Sequence, residues 1–202
     1  MNKLNPETRF LAIAVDTQND FCPGGSLAVP HGNEVIEPLN NVVRTIKQLG
    51  GRAIFTRDWH PEQTIHFESW PVHCVAETNG AQFHPDLLVS PNDTVINKGT
   101  GYDEDAYSGF QGMSAEDETL EAIIRGELAH DSRLIVGIGG LATDYCVKAT
   151  VLDALRLKET LAASQMNVFA INDAMRAVNI QPNDGKDAMR VMVDAGAIQV
   201  SE

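Results

Sequence analysis

Short apolar runs alternate with amphipathic segments along most of the chain. Residues 10–15 form an unbroken apolar run that ends at Asp16, which is typical of a strand buried on both faces. Apolar residues then recur every three or four positions across 32–49, which predicts an amphipathic helix closed by Gly50 and Gly51. The same patterns predict further strands at 52–56, 94–97, 134–139 and 167–172, an edge strand at 197–200, and helices at 119–128, 144–157 and 184–195.

The alternation of strands and helices predicts the fold class. A helix after most strands indicates an α/β protein with three layers, α/β/α, around a mostly parallel central sheet. Residues 57–92 break the pattern, because they are rich in His, Pro, Trp and Asn and show little periodicity. Irregular segments of this length usually carry function, so we expect this one to contribute to a site.

Composition and charge narrow the range of partners. The 202 residues are 43% hydrophobic and 21% charged, which suits a single domain over 1–202 that buries its own core. A net charge of −13 argues against nucleic acid and membrane surfaces and favours a small-molecule substrate. Three cysteines cannot all pair, and the sequence shows neither a signal segment nor a long apolar run, so we expect a reduced, cytoplasmic protein. The sequence does not determine the oligomeric state, and a homo-oligomer is one of the possibilities.

Reactive side chains follow several of the predicted strands. Asp16 follows the first strand, Asp58 and His60 follow the second, Lys98 follows the third, and Cys146 lies beyond the fourth. Ligands of open parallel sheets bind beyond the carboxyl ends of the strands, so these side chains should share one edge. Asp16 could take the proton of the Cys146 thiol while Lys98 keeps Asp16 ionised. A nucleophile, a base and an orienting group of this kind suit covalent catalysis.

Cys146 has two interpretations. The strand before it turns through glycines into a predicted helix, and a helix N-terminus lowers a thiol pKa and offers backbone N–H groups to an oxyanion. A lone cysteine is more often a small buried hydrophobic residue. The presence of Asp16 and Lys98 at other strand ends favours the nucleophile. Cys22 and Cys74 lack this context and are predicted to be packing residues.

The irregular segment contains a pattern of metal ligands. Asp58, His60, His66 and His73 fall within sixteen residues, and carboxylate–imidazole sets of this kind bind transition metals such as Zn, Mn or Fe. The other three histidines have no such neighbours and are predicted to be structural or solvated: His31, His84 and His130.

Six strings in the chain carry a family resemblance. They are DTQNDF at 16–21, DWH at 58–60, WPVHCV at 70–75, KG at 98–99, AYSGF at 106–110 and GLATDYCV at 140–147. Together, in this order and across almost the whole chain, they resemble the nicotinamidase branch of the isochorismatase-like hydrolases. The resemblance implies the isochorismatase-like hydrolase fold and a reaction that converts nicotinamide to nicotinate and ammonia through a cysteine thioester, as in NAD salvage. It also makes pyrazinamide a candidate substrate.

The resemblance also implies the residues of the site. The catalytic set is Asp16, Lys98 and Cys146. The metal ligands are Asp58, His60 and His73, with His66 as a fourth ligand in some members, and zinc is expected in preference to manganese or iron. The ring of the substrate would lie among Phe21, Trp70 and Tyr107. A cis peptide before Ala142 would direct the Ala142 and Cys146 amides into one oxyanion hole.

Other interpretations stay open. The chain could be another amide or carbamoyl hydrolase of the same family, or cleave an isochorismate-type ether. Residues 137–142 satisfy the loose G-x-G-x-x-A pattern of dinucleotide-binding oxidoreductases, but the helical pattern begins near Asp144 rather than among the glycines. A metal-binding module without catalytic activity is a further alternative. It is disfavoured because such a module would need neither the Cys146 thiol nor Lys98.

Overall fold

In the part of the chain that the structure describes, six parallel strands form one sheet. A computed structural model describes residues 8–129 and 132–201, so His130 lies outside the described residues. The strands are β1 (Thr8–Val15), β2 (Arg52–Asp58), β3 (Thr94–Lys98), β4 (Arg133–Leu141), β5 (Met166–Arg176) and β6 (Ile198–Val200). Their order across the sheet is β3-β2-β1-β4-β5-β6, and each neighbouring pair is parallel.

Among the described residues, four α-helices accompany the strands, close to the predicted positions. They are α1 (Ile36–Gln48), α2 (Leu120–Leu128), α3 (Lys148–Thr160) and α4 (Asp184–Asp194). The predicted helix at 32–49 begins as a 3₁₀ turn, Gly32–Val35, and the predicted helix at 144–157 begins as a π-helical turn, Thr143–Val147. The Thr119 hydroxyl accepts a 3.2 Å hydrogen bond from the Ala122 amide and so caps α2.

The two faces of β1 show how the layers are held together. Leu11, Ile13 and Val15 pack with apolar residues of α2, α3 and α4, whereas Phe10 and Ala12 pack with α1 on the opposite face. Because side chains alternate along a strand, an unbroken apolar run is needed when both faces are covered. The predicted three-layer α/β/α architecture is confirmed.

The strand order places a crevice between β1 and β4. From β1 the chain continues to β2 and β3 on one side, and from β4 to β5 and β6 on the other. Where the strand order reverses in this way, the connections that leave the two carboxyl ends run in opposite directions. This leaves room for a ligand between them. The residues that follow β1 and β4, Asp16 and the turn that contains Cys146, therefore face one another across this crevice.

Close packing explains the glycines of the loose dinucleotide pattern. Gly137, Gly139 and Gly140 all lie inside β4 rather than in a strand-to-helix turn. Gly140 has a φ of +128°, and a Cβ atom there would lie 2.0 Å from the carbonyl oxygen of Val15. These glycines therefore allow β4 to approach its neighbours, which is a role different from cradling a pyrophosphate.

The segment between β2 and β3 is irregular, as predicted, apart from the 3₁₀ turn Ile65–Glu68. Cys22, Cys74 and Cys146 are buried free thiols. Within 8–129 and 132–201, no helix has the length and apolar character needed to cross a membrane.

Candidate active site

A buried lysine lies at the centre of the candidate site. Lys98, the last residue of β3, is 1% exposed. Its Nζ atom lies 2.9 Å from Asp16 Oδ2, contacts Asp58 Oδ1, and donates a 3.0 Å hydrogen bond to the carbonyl oxygen of Ala106. Burial opposes the charged form of Lys98, but the two carboxylates outweigh burial and raise its pKa well above the usual value. The lysine therefore stays an ammonium ion.

Asp16 supplies a carboxylate directly after β1. It is fully buried, and Thr56 of β2 donates a 2.7 Å hydrogen bond to its Oδ1 atom. Burial raises the pKa of Asp16 to about 6, although Lys98 and the Thr56 hydrogen bond both lower it. A carboxyl group with this pKa exchanges a proton close to neutral pH, which is what a general base requires.

Cys146 lies in the turn that leads into α3. Its Sγ atom is 3.5 Å from Lys98 Nζ, and within 4.8 Å of carboxylate oxygens of both Asp16 and Asp58. The predicted lowering of its pKa is wrong. Burial raises the thiol pKa well above the usual value, and the carboxylates of Asp16 and Asp58 raise it further, while only Lys98 acts in the opposite direction. The resting group is therefore a thiol, and a base is needed to activate it.

The backbone around Cys146 is fixed by the segment before it. The Leu141–Ala142 peptide bond is cis, as the resemblance implied. The carbonyl oxygen of Ala142 accepts 3.1 Å hydrogen bonds from the amides of Tyr145 and Val147, on either side of the cysteine. An oxyanion hole made by the Ala142 and Cys146 amides stays a prediction.

Three histidines converge next to the thiol and lysine. Ring nitrogens of His60, His66 and His73 all lie within 4.8 Å of one another. Each Nδ1 atom has an oxygen partner: the Gly99 carbonyl at 2.9 Å for His60, the Asp105 carboxylate at 2.5 Å for His66, and the Pro71 carbonyl at 2.7 Å for His73. An Nδ1 proton donated to these oxygens leaves the Nε2 lone pair of each ring available to a metal ion.

Asp58 joins the histidine cluster to Lys98. Its Oδ2 atom lies 3.8 Å from His60 Nε2 and 3.9 Å from His73 Nε2, while Oδ1 contacts Lys98. Burial alone would raise the pKa of Asp58, but the charged Lys98 outweighs it and lowers the pKa, so the carboxylate is ionised. Burial also lowers the pKa of His60 to about 4 and lowers that of His73, which keeps both rings neutral.

The donor set fits a divalent transition metal. An anionic carboxylate and neutral imidazoles are the ligand forms that such ions bind. The Nε2 atom of His60 is buried and has no hydrogen-bond partner among the described residues. A buried ring nitrogen is costly to leave unpaired, and a bound cation would satisfy it. These residues could therefore hold a metal ion.

An aromatic cleft leads from the surface to the thiol. Its volume is about 430 Å³, open solvent at the mouth included, and the cleft brings together Cys146, His66, His73 and all three residues of the predicted ring pocket: Phe21, Trp70 and Tyr107. Trp70 Nε1 donates a 3.0 Å hydrogen bond to Tyr107 Oη. The cleft also contains residues that sequence reasoning missed: Leu27, Val29, Ala106, Tyr145 and Val178. Of these, Ala106 and Tyr145 fall inside quoted family strings, which was the available signal.

Two polar residues that support the site were also missed. The Gln18 side chain accepts a 2.8 Å hydrogen bond from the Asp58 amide and donates one of the same length to the Asp58 carbonyl, so it fixes that residue's backbone. Gln18 falls inside one of the family strings, which was the available signal. Asp105 accepts from His66 and stands in a segment with several exposed carboxylates, so the sequence offered no reason to single it out.

The remaining candidates have roles outside the site. His31 is exposed and pairs with Glu34 at 3.0 Å, and His84 accepts a local hydrogen bond from the Asp86 amide, as expected of structural or solvated histidines. Cys22 and Cys74 belong to the core cluster on the α1 side of the sheet, in agreement with their prediction as packing residues.

Comparison with known proteins identifies the family. Residues 11–201 match the family model of the isochorismatase domain. The chain is 38% identical over 205 residues to the nicotinamidase of Escherichia coli strain K12, covering 92% of this chain and 91% of that protein. It is also 38% identical over 153 residues to the nicotinamidase/pyrazinamidase of Mycobacterium tuberculosis, covering 71% and 77% of the two chains. The crystal structure of the pyrazinamidase of Pyrococcus horikoshii in complex with zinc superposes with a TM-score of 0.80 at 37% identity, covering 98% of this chain and 100% of that one. This chain therefore belongs to the isochorismatase family.

Proposed function

We propose that this protein is a nicotinamidase, which hydrolyses the carboxamide of nicotinamide to nicotinate and ammonia. One observation carries the proposal: the Cys146 thiol opens into the same aromatic cleft as His66 and His73, with Asp16 and Lys98 beside it. A flat heteroaromatic ring fits between the aromatic side chains of this cleft. The Cys146 thiol would then face the carboxamide of the substrate, and His66 and His73 would face its ring nitrogen.

The first half of the reaction transfers the acyl group to Cys146. Asp16 takes the proton from the thiol, and the sulfur forms a bond to the carboxamide carbon as the C=O electron pair moves to oxygen. The amides of Ala142 and Cys146 would hold this oxyanion, and loss of one such donor typically costs about 2.7–4 kcal/mol of barrier. When the C–N bond breaks, Asp16 returns its proton to the departing nitrogen, which leaves as ammonia.

The second half returns the cysteine to its resting form. Asp16, again ionised, accepts a proton from the water that attacks the thioester carbon, and the C–S bond breaks to release nicotinate. Asp16 then passes the proton to the sulfur. Lys98 stays charged throughout, and its 2.9 Å contact with Asp16 holds the carboxylate in place.

Asp58, His60 and His73, with His66 as a fourth ligand, would hold a divalent metal ion. Zinc is favoured because the related Pyrococcus horikoshii pyrazinamidase was crystallised in complex with zinc. When bound there, such an ion would supply Lewis acidity towards the pyridine nitrogen of the substrate and towards water. The same proposal includes pyrazinamide as a substrate and a cytoplasmic role in NAD salvage.

The substrate assignment is tested by ammonia release. The purified protein should release ammonia from nicotinamide and pyrazinamide, and much more slowly from aliphatic or carbamoyl compounds, with activity reduced by a chelator. A preference for carbamoyl compounds or for isochorismate would reject the proposal and indicate a different hydrolase activity of the same family.

The nucleophile is tested by replacing each of two buried thiols. Cys146→Ala should lower kcat for nicotinamide by at least about a thousandfold, because no other group can form the thioester. Cys22→Ala is the matched control, since Cys22 is a buried free thiol outside the cleft, and it should keep near wild-type turnover. An active Cys146→Ala protein would rule out the covalent mechanism.

A further inference from the structure

Asp105 lies at the edge of the candidate site, where it can influence both the histidine cluster and the aromatic wall. It lies in the segment that follows β3 and has a side chain that is 54% exposed, whereas the side chain of its partner His66 is 6% exposed. The Oδ1 atom of Asp105 lies 2.5 Å from His66 Nδ1. An exposed carboxylate thus fixes the orientation of a buried imidazole.

The same carboxylate acts on the aromatic wall. Burial raises the pKa of Tyr107, the hydrogen bond from Trp70 lowers it, and the charge of Asp105 raises it. The Tyr107 hydroxyl accepts a 3.0 Å hydrogen bond from Trp70 Nε1, and its ring meets the His66 ring edge to face with the centroids 5.9 Å apart. Asp105 therefore reaches the aromatic wall through His66.

This arrangement has two physical consequences. An Nδ1 proton held by Asp105 fixes the His66 tautomer whose Nε2 atom is free, and a carboxylate partner makes that nitrogen a better ligand. The Tyr107 ring packs edge to face against the His66 ring, so a His66 ring held by Asp105 also limits the movement of Tyr107. Removing Asp105 would therefore loosen both the His66 imidazole and the Tyr107 ring.

We propose that Asp105 is a positioning residue that orients His66 and, through the His66 ring, Tyr107, and so couples metal affinity to binding of the aromatic ring. The proposal rests on the proposed function only for the identity of the substrate. Asp105 does not line the cleft, so its effect passes through the His66 side chain that it holds.

Metal affinity is the first test, with Co²⁺ as an optical probe titrated into metal-free protein. Asp105→Ala should weaken Co²⁺ binding by about 10–100-fold, the usual cost of losing such a partner. Asp105→Asn should recover most of the loss, because its amide oxygen can still accept the Nδ1 proton. Asp103→Ala, which removes an exposed carboxylate two residues away, should bind Co²⁺ like the wild type. Unchanged affinity in Asp105→Ala would overturn the proposal.

A double-mutant cycle shows whether Asp105 acts through His66. In a His66→Ala background, Asp105→Ala should weaken Co²⁺ binding no further, because its target is gone. An equally large loss in that background would contradict the proposal. The metal-free variants should have unchanged thermal unfolding, which separates positioning from a general loss of stability.

Kinetics test the effect of Asp105 on the aromatic wall. At saturating metal, Asp105→Ala should raise KM for nicotinamide several-fold and change kcat by less than about threefold, because Asp105 has no contact with the thiol. A loss confined to kcat would argue against this role. If the wild type fails to hydrolyse nicotinamide, the proposed function is rejected, whereas the Co²⁺ titrations still decide the role of Asp105 at His66.

Discussion

Asp16 is an ionisable residue that is fully buried, and its environment sets the pH at which it can act as a base. Burial raises its pKa to about 6, and Thr56 and Lys98 limit the rise. The buried thiol of Cys146 has a raised pKa as well, so a thiolate is formed only when Asp16 is ionised to receive the proton. The reactivity of this cysteine thus depends on its neighbours more than on its place at the start of a helix.

The pH dependence of activity should therefore follow Asp16. Below about pH 6 the protonated carboxyl group cannot accept the thiol proton, so kcat/KM should fall as the pH is lowered through this value. Thr56→Val removes the 2.7 Å hydrogen bond that stabilises the ionised form. A hydrogen bond to a carboxylate is worth roughly 1 kcal/mol, so the acidic limb should move up by about half to one pH unit.

The measurement is the pH profile of kcat/KM for nicotinamide, compared with that of Thr160→Val. Thr160 is exposed at the end of α3, so its replacement should leave the limb in place. An unmoved limb in Thr56→Val, or one that moves to lower pH, would show that another group controls activity in this range.

The site residues could be predicted where sequence order and strand ends coincide. Asp16, Asp58 and Lys98 follow or end apolar runs, and the parallel sheet brings those ends together. Tyr145, Val178 and Asp105 were missed because their contribution depends on how loops fold over the edge of the sheet. The raised pKa of Cys146 was missed for a related reason: burial and the facing carboxylates are tertiary properties.

At the level of elements, β4 is the strand on which the crevice depends. Gly140 has a φ of +128°, and a Cβ atom there would lie 2.0 Å from the carbonyl oxygen of Val15 in β1. The two strands cannot approach each other around such an atom. They carry Asp16 and Cys146 beyond their ends, so strand spacing and site geometry are linked.

Gly140→Ala should therefore destabilise the protein by about 2 kcal/mol or more, since it combines a strained backbone with a backbone clash. Gly126→Ala is the matched control. Gly126 lies in α2 with an ordinary φ and open space around it, and the change should stabilise the protein by about 0.5–1 kcal/mol. Urea unfolding measures both free energies. Similar values for the two variants would contradict this account of β4.

The element boundaries show where periodicity loses information. Over the described ranges, 8–129 and 132–201, the pattern located six strands and four α-helices, because burial on one or both faces is visible as spacing along the chain. It missed that two predicted helices begin with a 3₁₀ turn, Gly32–Val35, and a π-helical turn, Thr143–Val147. These turns keep the spacing of apolar residues nearly helical while changing the backbone hydrogen bonds, so the sequence pattern does not distinguish them.

At the scale of the whole molecule, the proposed metal ion would tie an irregular segment to the sheet. Asp58 ends β2, while His66 and His73 belong to the long connection to β3. The local backbone bonds of this connection include Trp70 N to His66 O at 3.1 Å and Ala76 N to His60 O at 2.8 Å. The metal contacts would add a second set of restraints to these few bonds.

Removal of the metal should therefore loosen this connection before it affects the sheet. Chelation should speed amide hydrogen exchange at Trp70 and Ala76, while exchange at Leu11 in β1, at the centre of the sheet, stays unchanged. Zinc at about 100 times its Kd should restore protection and add about 2.7 kcal/mol to the free energy of unfolding. His73→Ala should abolish this response, and His31→Ala, which removes an exposed imidazole, should retain it. If amide exchange at Leu11 accelerates equally, the ion supports the whole fold. If exchange accelerates nowhere, the ion does not bind to the connection between β2 and β3.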